Sequence, residues 1–214
     1  MSNTLVELRQ NIDEIDQALL ELIMRRLRVS REIATAKPDG SPVYRPAREA
    51  LLMHKLLLEL DGNVEREVVA RLWRVLLASS VRSQSPSFRI VSLKGLENFT
   101  LEFSAGFLDF VFCATGEEMI EMLSKNKADV AFFPYSKLKK IASLLGKKTG
   151  IYLNHKIDNV AIICKNMPEE TGFDIPIFKD SRFEEPKIIE KASFSEISDS
   201  NEYVHIGAWV NLTG

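Results

Sequence analysis

Cysteine and histidine are scarce in this chain of 214 residues, which carries two of the first and three of the second. Cys113 and Cys164 each lie inside an apolar run, Phe110–Ala114 and Val160–Lys165. Two such residues exclude a disulfide framework and read as reduced thiols of a cytoplasmic protein's core. His54, His155 and His205 fit no metal-ligand spacing with each other or with the cysteines, so no metal site is expected. No apolar stretch approaches the roughly 20 residues that span a bilayer, and membrane association is not expected. The N-terminus has no cationic start leading into an apolar run, so a secretory signal is not expected either. A formal net charge of -2 gives no basis for a nucleic-acid partner. Phosphate-binding glycine loops, dinucleotide fingerprints and nucleophile elbows are missing, and no cofactor is expected.

What the chain does have is 45% hydrophobic and 27% charged residues, the balance of an ordinary globular protein. Its cations change type along the way. Residues 1–85 hold 11 Arg and 2 Lys, whereas residues 86–214 hold 2 Arg and 13 Lys. The switch coincides with Ser83-Gln84-Ser85-Pro86-Ser87, a polar stretch that reads as a linker between two domains, 1–85 and 86–214.

The first domain reads as helix throughout. Neither Gly nor Pro occurs before Pro38, and Leu5, Leu8, Ile12, Ile15, Leu19, Leu22, Ile23, Leu27, Ser30 and Ile33-Ala34 recur every three or four residues. The spacing predicts one helix of roughly 33 residues, on the order of 50 Å long. So long a rod cannot bury its stripe within 85 residues unless it packs along a partner, so a dimer is expected. Pro38 to Pro42 breaks it. A second helix is predicted from Pro46 to the Asp61-Gly62-Asn63 break, and a third from about Val64 to Gln84.

The second domain alternates strand and helix. Strands are predicted at 88–93, 110–114, 129–134, 151–153 and 159–164, with helices at 116–127 and 136–148. The latter has a candidate cap at Ser136 and a lysine-rich solvated face. Beyond Pro168 the pattern thins to short strands at 175–178, 187–189 and 204–209. This order implies an open α/β sheet.

Within the helical domain, Arg26 and Lys37 lie 11 residues apart, about 20° round the helix and therefore on one face. Ser80 and Gln84 share a face of the third helix. Arg48 and Glu49 open the second. Arg9 precedes Arg26 by 17 residues and points elsewhere, free to serve a partner's site. Such spacings are compatible with a cationic pocket for a small polyanion, and equally with arginines scattered on helix surfaces.

In their order, Arg9, Arg26, Lys37, Arg48-Glu49 and Ser80-x-x-x-Gln84 resemble the motif of the all-helical chorismate mutase family, over residues 5–84. The resemblance implies an all-α three-helix domain in an intertwined homodimer. Its implied reaction isomerises chorismate to prephenate in aromatic amino acid biosynthesis. It also implies roles: Arg9 (from the other subunit) and Arg26 clamp the substrate carboxylates. Lys37 and Gln84 donate to the ether oxygen, Arg48 assists a carboxylate or the pocket wall, Glu49 accepts from the ring hydroxyl, and Ser80 helps with a carboxylate or positions its neighbours. Asp16 matches a recurrent acidic position, read as a structural partner for an arginine. One position departs. Many relatives carry Asp three residues before Arg48, where this chain has Arg45, which cannot accept a hydrogen bond. Either Glu49 and backbone carbonyls take over, or Arg45 adds an anion contact, or turnover is weaker. Arg25, Arg28, Arg31, Arg66, Arg71, Arg74 and Arg82 have no matched role and are expected to be solvated.

Residues 88–164 resemble the start of a prephenate dehydratase domain, an α/β unit built like a periplasmic binding protein. The strand 129–134 should then end in a Pro-Ile-Glu-Asn-Ser-like run, yet it continues Pro134-Tyr135-Ser136-Lys137. A later strand should begin Thr-Arg-Phe, yet it begins Asp158-Asn159-Val160. Ser181-Arg182-Phe183 matches that motif only superficially, because Glu184-Glu185-Pro186 follows. The region is also short, and no separate amino-acid-sensing domain is expected after it. A reduced, inactive dehydratase-like domain is the leading expectation. A bifunctional mutase–dehydratase and a non-catalytic small-ligand sensor remain as alternatives.

Overall fold

The computed structural model describes residues 4–38, 41–180, 187–190 and 203–210. The superficial motif at 181–183, with 184–186 after it, lies outside them.

Helix α1 runs from Leu5 to Ala36. Thr4 opens it with a capping box, accepting from the Glu7 amide at 3.3 Å while its own amide donates to the Glu7 carboxylate at 2.7 Å. It stops before Pro38, whose ring drives Lys37 into an extended conformation, φ −71° and ψ 143°. Helix α2, Pro46–Leu58, starts on the proline as expected. Helix α3, Arg66–Gln84, packs between α1 and α2, parallel to α1, where Arg26 meets Ser80 and Ser30 meets Gln84, and antiparallel to α2, where Glu49 meets Arg74 and Leu57 meets Arg66. No described helix is long and apolar enough to cross a membrane.

The second half forms one eight-stranded sheet in the order β2-β1-β3-β5-β4-β8-β6-β7. Its strands are β1 (Arg89–Leu93), β2 (Asp109–Cys113), β3 (Val130–Pro134), β4 (Tyr152–Ile157), β5 (Val160–Cys164), β6 (Asp174–Asp180), β7 (Lys187–Glu190) and β8 (Tyr203–Val210). β1 pairs parallel with both β2 and β3, which requires helical crossovers: α4 (Glu97–Ser104) and α5 (Gly116–Ser124). β5 then pairs antiparallel with β3 and β4, making the sheet mixed.

Period two sorts the central strands. Val91, Leu93, Ala131, Phe133, Ala161 and Ile163 face α5, packing on Met119, Ile120 and Leu123. Ile90, Val130, Phe132, Val160 and Ile162 face the other way, into a cluster with Phe88, Phe103 and Leu108. Tyr44, Ala78 and Val81, all from the helical half, complete this second cluster. The first half thus roofs one face of the sheet, and the two halves share a core.

Several expectations need correction. Ser83–Ser87 is not a free linker: Gln84 ends α3, the Ser85 amide still donates to Val81, and Phe88 is buried. The helix expected at 136–148 is a chain of short turns, 3₁₀ at Tyr135–Lys137, α at Leu138–Ile141 (α6) and 3₁₀ at Ala142–Leu144, without a side-chain cap from Ser136. Leu138, Ile141, Ala142 and Leu145 all turn into the core, and Lys179 Nζ satisfies the carbonyls freed at the end, those of Ala142, Ser143 and Leu145. Helix α4 was not expected. It has no side-chain cap and only eight residues. Its stability comes from packing, with Phe99 and Phe103 edge-on to Phe132 and Thr100 donating to the buried Ser92 hydroxyl at 2.9 Å. Strand β4 runs past Leu153 because a bulge accommodates Asn154, whose buried amide accepts from Cys164 and donates to Asn166.

Candidate active site

Where α1 and α3 converge on the start of α2, they enclose a cleft of about 700 Å³. Arg26, Lys37, Arg48, Glu49, Ser80 and Gln84 all line it, so six of the seven substrate-contact candidates converge on one place. The helical periods account for this. Arg26, Ser30 and Ile33 form one stripe of α1 that Lys37 continues just past its end, Leu77, Ser80, Val81 and Gln84 one stripe of α3, and Arg48, Glu49 and Leu52 the first turns of α2. Arg9 is the exception. It lies exposed on α1, about 25 Å along the helix from Arg26.

The side chains hold one another in place. Arg26 Nη1 donates to Ser80 Oγ at 2.7 Å and to the Leu76 carbonyl at 3.0 Å. Ser80 Oγ donates onward to the same carbonyl. Gln84 Nε2 donates to Ser30 Oγ at 2.8 Å, and Lys37 Nζ to the Pro42 carbonyl at 2.8 Å. Burial lowers the Arg26 guanidinium from its ordinary range, partly offset by Glu49. Burial also lowers the Lys37 ammonium, and the neighbouring Arg45 and Arg48 charges push it the same way against the opposing pull of Glu169.

Arg25, Arg26, Lys37, Arg45 and Arg48 face this cleft, with Glu49 as its only carboxylate among the described residues. Glu49 is itself neutralised: Arg74 Nη1 donates to Glu49 Oε2 at 2.9 Å, in a pair whose side chains are 17% and 15% exposed. Such a cleft suits a small polyanion, held by charge-assisted hydrogen bonds in a half-dry environment.

Four of the arginines expected to be solvated have partners in the structure. Arg74 is the one just described, Arg71 pairs with Glu102 at 4.0 Å, Arg82 pairs with Asp109 at 3.4 Å, and Arg66 donates to the Leu57 carbonyl. The signal for Arg74 was present in the spacing, since Ala78 and Val81, four and seven residues on, are core positions of the same helix face. Arg45 is turned to Glu169 in the second half, Nε to Oε1 at 2.5 Å, so its charge is matched by a carboxylate 124 residues away. No local pattern could have indicated that partner. Asp16 is exposed and forms no ion pair among the described residues.

The chorismate mutase type II family matches this chain over residues 8–85. A bifunctional chorismate mutase/prephenate dehydratase of Pseudomonas aeruginosa is 36% identical over 85 residues, which cover 37% of this chain and 23% of that protein. A chorismate mutase of Methanocaldococcus jannaschii is 30% identical over 79 residues, 36% of this chain and 80% of that protein. A bifunctional chorismate mutase/prephenate dehydratase of Buchnera aphidicola is 22% identical over 189 residues, 73% of this chain and 49% of that protein. The matches thus span from 23% to 49% of these bifunctional relatives' length.

Proposed function

Because the chain belongs to the chorismate mutase family through residues 8–85, we propose that it isomerises chorismate to prephenate in aromatic amino acid biosynthesis. The observation that carries the reading is the convergence of Arg26, Lys37, Arg48, Glu49, Ser80 and Gln84 on one cationic cleft. Chorismate is a dicarboxylate ether that rearranges by an intramolecular pericyclic step, needing no nucleophile, metal or cofactor. The protein's task is to hold the compact conformer and stabilise the charge that grows on the ether oxygen as its C–O bond breaks.

Arg26, oriented by Ser80, binds one carboxylate, with Arg48 assisting in the wall. Lys37 and Gln84 turn from Pro42 and Ser30 to the ether oxygen. Glu49 accepts from the ring hydroxyl. Arg9 of the partner subunit supplies the second carboxylate contact in an intertwined homodimer. Two features support the dimer. Arg9 is remote from its own cleft, and the stripe of α1 formed by Leu8, Ile12, Ile15 and Leu19 is bare, with Ile12 and Ile15 each 58% exposed. On this reading residues 1–85, where the family match ends, are the catalytic unit and residues 86–214 the accessory one. The buried thiols of Cys113 and Cys164, free of any disulfide, favour the cytoplasm.

Similarity to the Buchnera protein over 189 residues favours weighing a second reading, a bifunctional enzyme that also carries prephenate on to phenylpyruvate. We read the second half as a reduced, inactive relative of a dehydratase domain, with a periplasmic-binding-protein-like ancestry. The chain departs from the dehydratase pattern at Tyr135, where the Tyr135 hydroxyl donates to Glu190 and Lys156 Nζ stands 4.9 Å from the ring centroid. The deciding experiment follows chorismate absorbance with purified protein and identifies the product. Prephenate alone supports the mutase reading. Phenylpyruvate revives the bifunctional one, and no turnover overturns both.

A further inference from the structure

Arg74 is placed oddly for a structural arginine. Its side chain is largely buried, and Nε and Nη2 are both out of solvent without a hydrogen-bond partner among the described residues. Leaving guanidinium donors unsatisfied in a core carries a free-energy cost, and an apolar residue of similar volume could fill the same space without it. What this guanidinium does have is one carboxylate and one aromatic face. Nη1 holds Glu49 Oε2, and the Phe103 ring lies 4.3 Å from the guanidinium carbon. Phe103 belongs to α4 of the second half and is itself fixed by Tyr44, Phe99 and Phe132. The result is a chain of contacts from the sheet's core to the cleft: Phe132, Phe103, Arg74, Glu49.

Glu49 needs such a hold. It lines the substrate cleft and also a second hollow of about 540 Å³ between α2, α3 and α4, so its carboxylate stands in the wall between two spaces. Arg74 lines the second hollow and not the cleft. By anchoring Oε2 there it leaves Oε1 without a hydrogen-bond partner among the described residues, free for a donor in the cleft. A planar guanidinium lying on a ring has few orientations open to it, so the anchor is preorganised in a way that a flexible ammonium would not be.

We propose that Arg74 is a positioning residue for Glu49, held in place by Phe103, so that the appended half helps to set substrate recognition in the helical cleft. This rests on the mutase reading and on Glu49 accepting from the ring hydroxyl. Neither Arg74 nor Phe103 touches substrate; both act through one carboxylate.

The test uses the full chain and two substrates, chorismate and its 4-O-methyl ether, which has lost the hydroxyl proton. Arg74→Met is expected to lower kcat/KM for chorismate by 10-fold to 100-fold and for the ether by less than threefold. Arg74→Lys should recover only part of that loss. Phe103→Leu should show the same substrate dependence at smaller size, and serves alone if Arg74→Met does not fold. In a Glu49→Gln background both substitutions should add nothing. Equal losses on the two substrates, or undiminished effects beside Glu49→Gln, would overturn the proposal in favour of a merely structural arginine, as would unchanged kinetics in an active wild type. A wild type that leaves chorismate untouched overturns the mutase reading itself, a different result from any of these.

Discussion

His155 is half-buried on β4, its Nδ1 out of solvent with no hydrogen-bond partner among the described residues, and desolvation pushes its pKa from the ordinary 6.5 to about 4. In the unfolded chain the ring takes up a proton near 6.5, while the folded protein refuses it until about 4. Stability is therefore insensitive to this group above pH 6.5 and falls as the pH drops from there to about 4, by on the order of 3 kcal/mol in all. Urea titrations of His155→Gln should show a flatter profile across that window. Lys37 responds to a different neighbour. Its ammonium is already lowered by burial and by Arg45 and Arg48, and Glu169 works against that. Glu169→Gln removes a favourable charge and frees Arg45, so the alkaline limb of kcat/KM should move to lower pH. An unmoved limb would mean that Lys37 does not meet substrate as the charged donor. Gln84→Ala should lower kcat about 100-fold, the usual cost of losing one donor to a developing oxyanion, with an unchanged circular dichroism spectrum.

At the scale of elements, β8 meets β4 most closely at one residue. Gly207 pairs with Leu153 at φ +149°, and a Cβ there would stand 2.2 Å from the Leu153 carbonyl oxygen. Gly207→Ala should therefore cost about 3 kcal/mol or more, read as a lowered midpoint of thermal unfolding. The elements differ in how far their sequence announces them, and the reason is the range over which each is stabilised. Helix α1 carries its signals within itself: a capping box, no Gly or Pro, and a proline at its end. The central strands show as apolar runs because both faces are covered. The cleft was legible because Arg26 and Lys37 are related by helical period. Helix α4 was not, since its support comes from Phe132 and Ser92 on neighbouring strands. The Arg45–Glu169 and Arg74–Glu49 pairs bring together residues 124 and 25 positions apart, beyond any periodicity.

The molecule as a whole is less divisible than its composition suggests. Tyr44, Ala78 and Val81 are buried by Phe88, Ile90, Phe103 and Phe132, and two ion pairs of the cleft region depend on residues beyond 85 for their setting. A fragment ending at residue 85 should bind a hydrophobic dye and melt well below the full chain, because its sheet-facing cluster is uncovered. In the proposed homodimer the bare stripe of α1 acts in the opposite direction, toward a second copy. From Leu5 to Leu22 every residue of this helix is exposed, so its own chain gives the N-terminal turns almost no tertiary support. In the homodimer proposed above, a helix so placed draws its stability from an encounter between chains, which would make the last step of refolding second-order. Dilution should slow it in proportion, and the thermal midpoint should climb with chain concentration.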